Sequence, residues 1–457
     1  MSQPNQALAV LLEEAGFSEA GLARRVNELG RVHGHSFGYD YTGVYRWLRK
    51  GQRPRDPVPA LIAEALTERL GRPVSPAEIG MAVASAVSGD VGLDYSSHID
   101  GATRTTTTLW RADLEDLTAV TGTSVNAAAW TDATLSWLVR SGPDQLPERA
   151  HGRKIGKAET AAVRVTADAF ARLDNQFGGD HARRALVQYL RSNAAELLDG
   201  RYSEENGREL LAAIAEATLL VAWMTYDSAR AHGLAQRYFI QALRLAQAAD
   251  DVLLGGSVLD AMSHQATFLG RLREAANLAR AARTGTAGQA TATLTAHFHA
   301  MEARALAAGG DAVGAERALS EAVRVFERRK PGDDPDWITY FDDAELSAEF
   351  SHCFRDLDRS ADAITYAQRS LDGAGASVRS DFFVTMVLAD GYLTAGEVDQ
   401  ACTVTRRALD LGEQLKSGRS VEYVRRLRQR LPPFHEVAAV RELHEYAADH
   451  PLWTAAG

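Results

Sequence analysis

Cysteine is nearly absent from this chain: Cys353 and Cys402 are the only two among 457 residues, and neither belongs to a CxxC pair. That excludes a disulfide framework and a cysteine-based metal motif, and a reducing cytoplasm is the expected location. No uncharged apolar stretch approaches the roughly 18 residues of a membrane span. The apolar run before Glu13 and Glu14 is too short for a signal peptide. Phosphate-loop spacing is also missing. The nearest string, Gly152 to Gly156 followed by Lys157 and Ala158, lacks both the spacing and the magnesium-binding hydroxyl. His33 and His35, like His297 and His299, are two residues apart, which on a helix points them about 200° from each other. No convergent catalytic constellation emerges, so neither an enzyme nor a bound cofactor or metal is expected. Lysine is scarce as well. Only Lys50, Lys154, Lys157, Lys330 and Lys416 occur among 50 basic residues, a skew that with abundant alanine suggests a high-GC genome.

What is present begins with charge. The formal net charge is −10, with 50 Lys plus Arg against 60 Asp plus Glu. Residues 1–83 carry ten basic and nine acidic residues, so the remaining 40 and 51 leave the rest of the chain at −11. Between Tyr41 and Arg55, however, there are five basic residues and no acidic one. At 100° per residue, Val44, Trp47 and Leu48 share one helix face, while Thr42, Tyr45, Arg46 and Arg49 share the opposite face. Asp40 is placed to cap this helix, and Gly51 followed by Pro54 closes it. One face docks on a core. The other offers hydroxyls and guanidinium groups, the chemistry that base edges and phosphates accept.

Neighbouring segments supply the partners. Leu8, Leu11 and Leu12 predict a first short helix, and Ser18 caps a second with Leu22, Val26 and Leu29 in a stripe and the small Ala23 beside it. Pro57 to Leu70 and Ser75 to Met81 read as a fourth and fifth. Five short helices with a basic third one are the layout of a helix-turn-helix domain. The run Val44-Tyr45-Arg46-Trp47-Leu48-Arg49, then Gly51-Gln52-Arg53-Pro54, resembles the end of the recognition helix in phage-repressor-like (XRE) helix-turn-helix domains. The tail Leu70-Gly71-Arg72-Pro73-Val74-Ser75 through Glu78-Ile79-Gly80 is similar to an actinobacterial branch that joins this domain to tetratricopeptide repeats. That branch includes Streptomyces regulators of differentiation and antibiotic production. The resemblance implies Thr42, Tyr45 and Arg46 as base readers, Tyr41 as a further candidate at the helix start, and Arg49, Lys50, Arg53 and Arg55 as phosphate contacts. The sequence departs from the family in one place: residues 30–38 replace a tight turn between the second and third helices.

Beyond residue 83 the expectation is a linker over 84–108, a helical connector over 109–157 with a break at 142–156, and a helical repeat domain over 158–457. In the last, a turn signal recurs with an alanine five residues later: Gly270/Ala275, Gly310/Ala315, Asp358/Ala363 and Gly396/Ala401. Self-similarity of this kind marks stacked units. The first helix of each pair is expected to carry aromatics (Phe268; His297, Phe298 and His299; Trp337, Tyr340 and Phe341; Phe382, Phe383 and Tyr392). The second carries an alanine and leucine stripe. The pattern resembles degenerate tetratricopeptide repeats, about six or seven helix pairs including an early one at 211–249 and a final one at 417–450. The fold class is therefore all-α, a helix-turn-helix domain followed by a TPR-like α-solenoid.

The functional expectation is a cytoplasmic, sequence-specific regulator that binds double-stranded DNA as a homodimer, its solenoid holding a peptide or protein ligand. Two alternatives stand beside it: an interaction adaptor without specific DNA binding, and a peptide-sensing regulator of the quorum type. The basic run Arg425 to Arg430 reads as the solvated face of a late helix rather than a second DNA contact.

Overall fold

A computed structural model describes residues 4–457 apart from 34, 56, 73, 75, 77, 82–88, 117, 140, 141, 143, 147–151, 229, 230, 331 and 374–376, and the side chain of residue 119. The fold is all-α and divides into two compact units, Met1–Ser88 and Gly89–Gly457.

Unit 1 contains α1 (Gln6–Glu14), α2 (Glu19–Val32), α3 (Tyr41–Arg49) and α4 (Val58–Leu70). The N-terminal boundaries of α1, α2 and α3 have a local cause. The side chains of Asn5, Ser18 and Asp40 accept hydrogen bonds from the Leu8, Gly21 and Gly43 amides, satisfying donors that the first helical turns leave unpaired. After the far ends of α1, α3 and α4, Gly16, Gly51 and Gly71 adopt left-handed φ values of 64°, 57° and 68°, which glycine accepts without steric cost. One core forms from Leu8, Leu11, Leu22, Val26, Val44, Trp47, Ile62 and Leu66, with Ile79 joining from the tail.

The expected fifth helix, Ser75 to Met81, is not formed among the described residues. Ser75 and Ala77 lie outside the described residues, while Pro76, Glu78, Ile79 and Gly80 are in turns. Asn5 Nδ2 donates to the Ile79 carbonyl at 2.9 Å, and Gly80 has φ 63°. Ile79 and Met81 are both buried in the core by a turn held to Asn5, so a helix is not needed to seat them.

Unit 2 begins with α5 (Ile99–Leu114), α6 (Thr118–Thr121), α7 (Ala127–Leu138), α8 (Lys157–Phe177), α9 (Arg183–Tyr189) and α10 (Ala195–Leu198). Then come the pairs α11 (Glu204–Asp227) and α12 (His232–Ala248), α13 (Val252–Phe268) and α14 (Leu272–Gly285), α15 (Ala292–Ala308) and α16 (Ala312–Phe326). The chain continues with α17 (Asp343–Asp356) and α18 (Ser360–Asp372), α19 (Val378–Thr394) and α20 (Val398–Gly412), and ends with α21 (Gly418–Arg430), α22 (Ala438–Ala447) and α23 (Pro451–Ala455). Five consecutive hairpins thus form the array, with further helices flanking them. Helix α11 is long and apolar enough to cross a membrane, with mean hydropathy 1.3, but 72% of that stretch is buried inside the unit.

The four sequence-predicted turns are geometrically alike. Gly270, Gly310, Asp358 and Gly396 have φ of 71°, 76°, 56° and 81°. In each, the next amide reaches back five residues, as Arg271 N to Ala266 O at 2.8 Å and Glu397 N to Tyr392 O at 2.9 Å, the double closure of a Schellman motif. The alanines five residues on, Ala275, Ala315, Ala363 and Ala401, are all buried where the second helix meets the first. Trp337, Tyr340 and Phe341 are a correction: they sit in the connection between α16 and α17, not in a first helix, and Phe350 and Phe354 are the aromatics of α17.

Helices α5 and α7 occupy the stretch expected as a helical connector, while the residues expected as a linker are packed where they are described; 84–88 lie outside the described residues. Residues 89–96 run along α12, whose buried polar side chains grip their backbone. Arg237 donates to the carbonyls of Val91 and Gly89 at 2.5 and 2.7 Å, Gln241 to those of Gly92 and Asp94 at 2.9 and 3.0 Å, and Arg244 to that of Ser96 at 2.5 Å. The threonine-rich stretch is helical in α5 because α12 and α9 pack over Ala102, Thr106, Leu109 and Trp110, which are buried, and the Thr106 hydroxyl is satisfied by the Ala102 carbonyl at 2.9 Å. Helix α7 is fixed by Trp137, which lies against Gly255 and Gly285, where a methyl group at either position would overlap the indole. Connector and repeats therefore share one packed body.

Candidate nucleic-acid interface

Helix α3 divides as its periodicity requires. Val44, Trp47 and Leu48 are buried, Trp47 at 3% exposure. Tyr41 and Tyr45 are 63% and 46% exposed, and Arg46, Arg49, Lys50 and Arg55 are exposed too. The side chains of Arg46, Arg49, Lys50 and Arg55 make no hydrogen bond or ion pair with other described residues, although carboxylates are plentiful elsewhere in the chain. Thr42 is half-buried, at the edge of this face.

Arg53 combines exposure with a contact inside unit 1. It is exposed, but its Nε donates to the Met81 carbonyl at 3.2 Å, so it ties the end of unit 1 to the segment after α3. Two cations outside the sequence-predicted set, Arg24 and Arg31, are exposed on α2 seven residues apart. Their heptad spacing is the only local signal that places them on one side of that helix.

The segment that replaces a tight turn is a built element. Asn27 holds Tyr39 from both sides, donating to its carbonyl at 2.8 Å and accepting from its amide at 3.0 Å. His35, Phe37, Tyr39 and Trp47 follow one another at ring separations of 5.5, 5.7 and 5.1 Å. Phe37 lies on Gly30, where an added Cβ would come within 2.5 Å of its ring. This stack fixes the angle at which the chain enters α3. Gly30→Val should therefore displace Phe37 and destabilise unit 1 by about 1–3 kcal/mol through overpacking. Chemical denaturation of the intact chain followed by tryptophan fluorescence would measure it.

Unit 2 contains a polar cluster, mostly buried, built from α11, α13, α15 and α17. Arg304 pairs with Glu349 at 2.6 Å, and His297 Nδ1 with Asp260 at 2.7 Å. Tyr226 donates to or accepts from His264 Nδ1 at 3.0 Å, and burial pushes its phenol up to about 12. Burial, together with nearby Arg304, holds His264 and His352 well below the usual histidine range. Burial and the neighbouring Glu349 raise the Glu345 carboxyl to about 7. The run Arg425 to Arg430, by contrast, is engaged: Arg425 and Arg426 pair with Glu422, Arg428 donates to the Trp453 carbonyl and Arg430 to Asp390. Cys353 and Cys402 are both buried free thiols. Among the described residues no three His, Cys, Asp or Glu side chains are grouped to hold a metal ion.

The family model described as the SP15 N-terminal domain matches residues 8–82, a span that begins in α1 and ends within unit 1. No curated protein and no solved structure matches the chain.

Proposed function

We propose that the protein is a cytoplasmic, sequence-specific DNA-binding regulator in which α3 enters a major groove. In this reading unit 2, a TPR-like array, brings two copies together and holds a partner. One observation carries the reading: a capped helix with a fully packed inner face presents Tyr41, Tyr45, Arg46 and Arg49 outward, followed by Lys50 and Arg55, and the four cations have no ion-pair partner among the described residues, on a chain whose net charge is −10. An acidic body repels duplex DNA in general, so contact concentrates at that helix. Arg46 lies one residue from Tyr45 and three from Arg49, on the same exposed side as both. This arrangement supports base-edge contact by Tyr45 and Arg46 near the helix middle and phosphate contact by Arg49, Lys50 and Arg55 toward its end.

The test is binding of the intact chain to duplexes selected from a random pool. Arg46→Ala is expected to lose about 1–3 kcal/mol of discrimination at one base pair. Arg49→Ala should weaken all duplexes alike and reduce the salt slope by about one. Half-sites on the selected duplex should be separated by about one helical turn or a multiple of it. Failure of the selection to enrich any motif over random duplex at moderate salt would overturn the reading.

A further inference from the structure

The helix array is not open-ended: the segments before and after it are fastened to each other and to its end hairpins by contacts spanning about 190 to 240 residues of sequence. Lys416 N donates to Phe177 O at 2.7 Å, and Asp180 N to Lys416 O at 3.2 Å. The buried Asp227 carboxylate at the end of α11 accepts from Arg419 Nε at 2.8 Å, Ser417 Oγ at 2.9 Å and Gly179 N at 3.1 Å. Asp174 of α8 pairs with Arg379 of α19 at 2.7 Å.

At the centre of this fastening is a slot shaped for a guanidinium group. The Arg419 guanidinium carbon lies 4.8 Å from the Tyr226 ring centroid and 4.6 Å from that of Phe383, so the group is stacked between two aromatic faces while Asp227 neutralises it. One helical face further along, Arg426 stands 5.7 Å from the Phe268 ring of α13. Helix α21 thus lays two arginines, seven residues apart, onto the inner aromatic surface of α11 and α13. Trp223, Tyr226, His264 and Phe268 form that surface, in ring contact with one another. Planar cations on aromatic faces with a carboxylate behind them are the chemistry of arginine recognition.

We propose that this slot is an interaction site for an arginine-bearing helix of a partner, and that α21 occupies it in cis as a releasable clasp. The proposal rests on the reading of unit 2 as a partner-holding array. A tethered occupant competes at an effective concentration in the millimolar range, so a partner enters only when it carries the same cation spacing or when α21 is drawn away. The alternative occupant, a peptide without arginine, has no guanidinium for Asp227 and would leave that buried carboxylate without the cation it hydrogen-bonds.

Hydrogen exchange on the unaltered full-length chain gives the first readout. The amides of Asp180 and Lys416 should exchange together, about a hundredfold faster than the central amides of α13 and α15, because clasp opening is a local event. Exchange at the rate of those central amides would overturn the proposal, since the fastening would then open only with the whole unit. The second readout is fluorescence anisotropy with a labelled synthetic peptide copying residues 417–430. Full-length Arg419→Ala should bind it about tenfold more tightly than the unaltered chain, whose slot is filled. The same peptide with lysine at the position of Arg419 should not bind. Equal binding by both chains would overturn the proposal. If Arg419→Ala does not fold, hydrogen exchange decides alone. Both readouts are taken without DNA, so failure of duplex recognition cannot mimic failure of the clasp.

Discussion

Trp47→Ala is expected to remove about 3–5 kcal/mol from unit 1, the cost of emptying a buried indole site that the surroundings cannot refill. Trp47 is 3% exposed at the centre of the small core and meets Tyr39 edge-on at 5.1 Å. It therefore serves two ends at once, seating α3 on the core and closing the stack that sets its entry angle. A domain of this size holds only about 3–5 kcal/mol in its core, so the substitution should leave unit 1 largely unfolded at 37 °C. Duplex binding would disappear although no outward-facing side chain has changed. Unit 2 has its own core, and its thermal transition should stay where it is. Circular dichroism melting with duplex binding measured in parallel checks this. Retention of both the lower-temperature transition and DNA affinity in Trp47→Ala would contradict the assignment of Trp47 to the core. Trp47→Phe, which keeps a ring against Tyr39, should recover most of the loss.

Asp227→Ala should destabilise unit 2 by about 3–5 kcal/mol, because it leaves the Arg419 guanidinium buried without its counter-charge. Two further donors, the Gly179 amide and the Ser417 hydroxyl, lose their acceptor in the same step. Burial alone would raise this carboxyl, but Arg419 and Arg379 outweigh burial and hold it below its ordinary value. The sign of the pH dependence follows. A carboxyl whose folded pKa lies below its unfolded value of about 3.9 binds fewer protons in the folded state, so its stabilisation is complete above that value and disappears as pH falls through the folded pKa. The difference between the unaltered chain and Asp227→Ala should accordingly be constant from pH 5 to 8 and shrink toward acid. Urea unfolding at several pH values measures it. Removing both charges, in Asp227→Ala combined with Arg419→Ala, should cost less than the sum of the two single substitutions, and additivity would mean the two groups are not coupled.

Much of unit 1 was legible in the residue pattern. The apolar and basic faces of α3, the Asp40 cap and the Gly51 stop rest on interactions within a few residues, which sequence spacing reports directly. The four left-handed turns of the array were legible for the same reason, since a glycine or aspartate at a helix end and an alanine five positions later are local requirements of one hairpin. The departures share a different cause. The segment around Thr105–Thr108 has weak helix propensity, yet it is helical because α12 and α9 cover it. Pro76 to Gly80 has a helix-like start, yet one buried isoleucine and one Asn5 hydrogen bond hold it as turns.

The chain's linear order was sufficient to determine that it is helical, where its hairpins turn and which face of α3 faces solvent, because caps, turns and amphipathic stripes are set by neighbours within one or two helical turns. Tertiary structure alone decided the uses of the buried polar side chains. Nothing local to Arg237, Gln241 and Arg244 shows that the carbonyls of 89–96 are laid across them, and nothing local to Arg53 shows that Met81 is placed beside it. Arg419 gives no local hint of Asp227, almost two hundred residues earlier. A charge or amide is stable in a protein interior only with a partner, and such partners come from whichever part of the chain folding brings alongside.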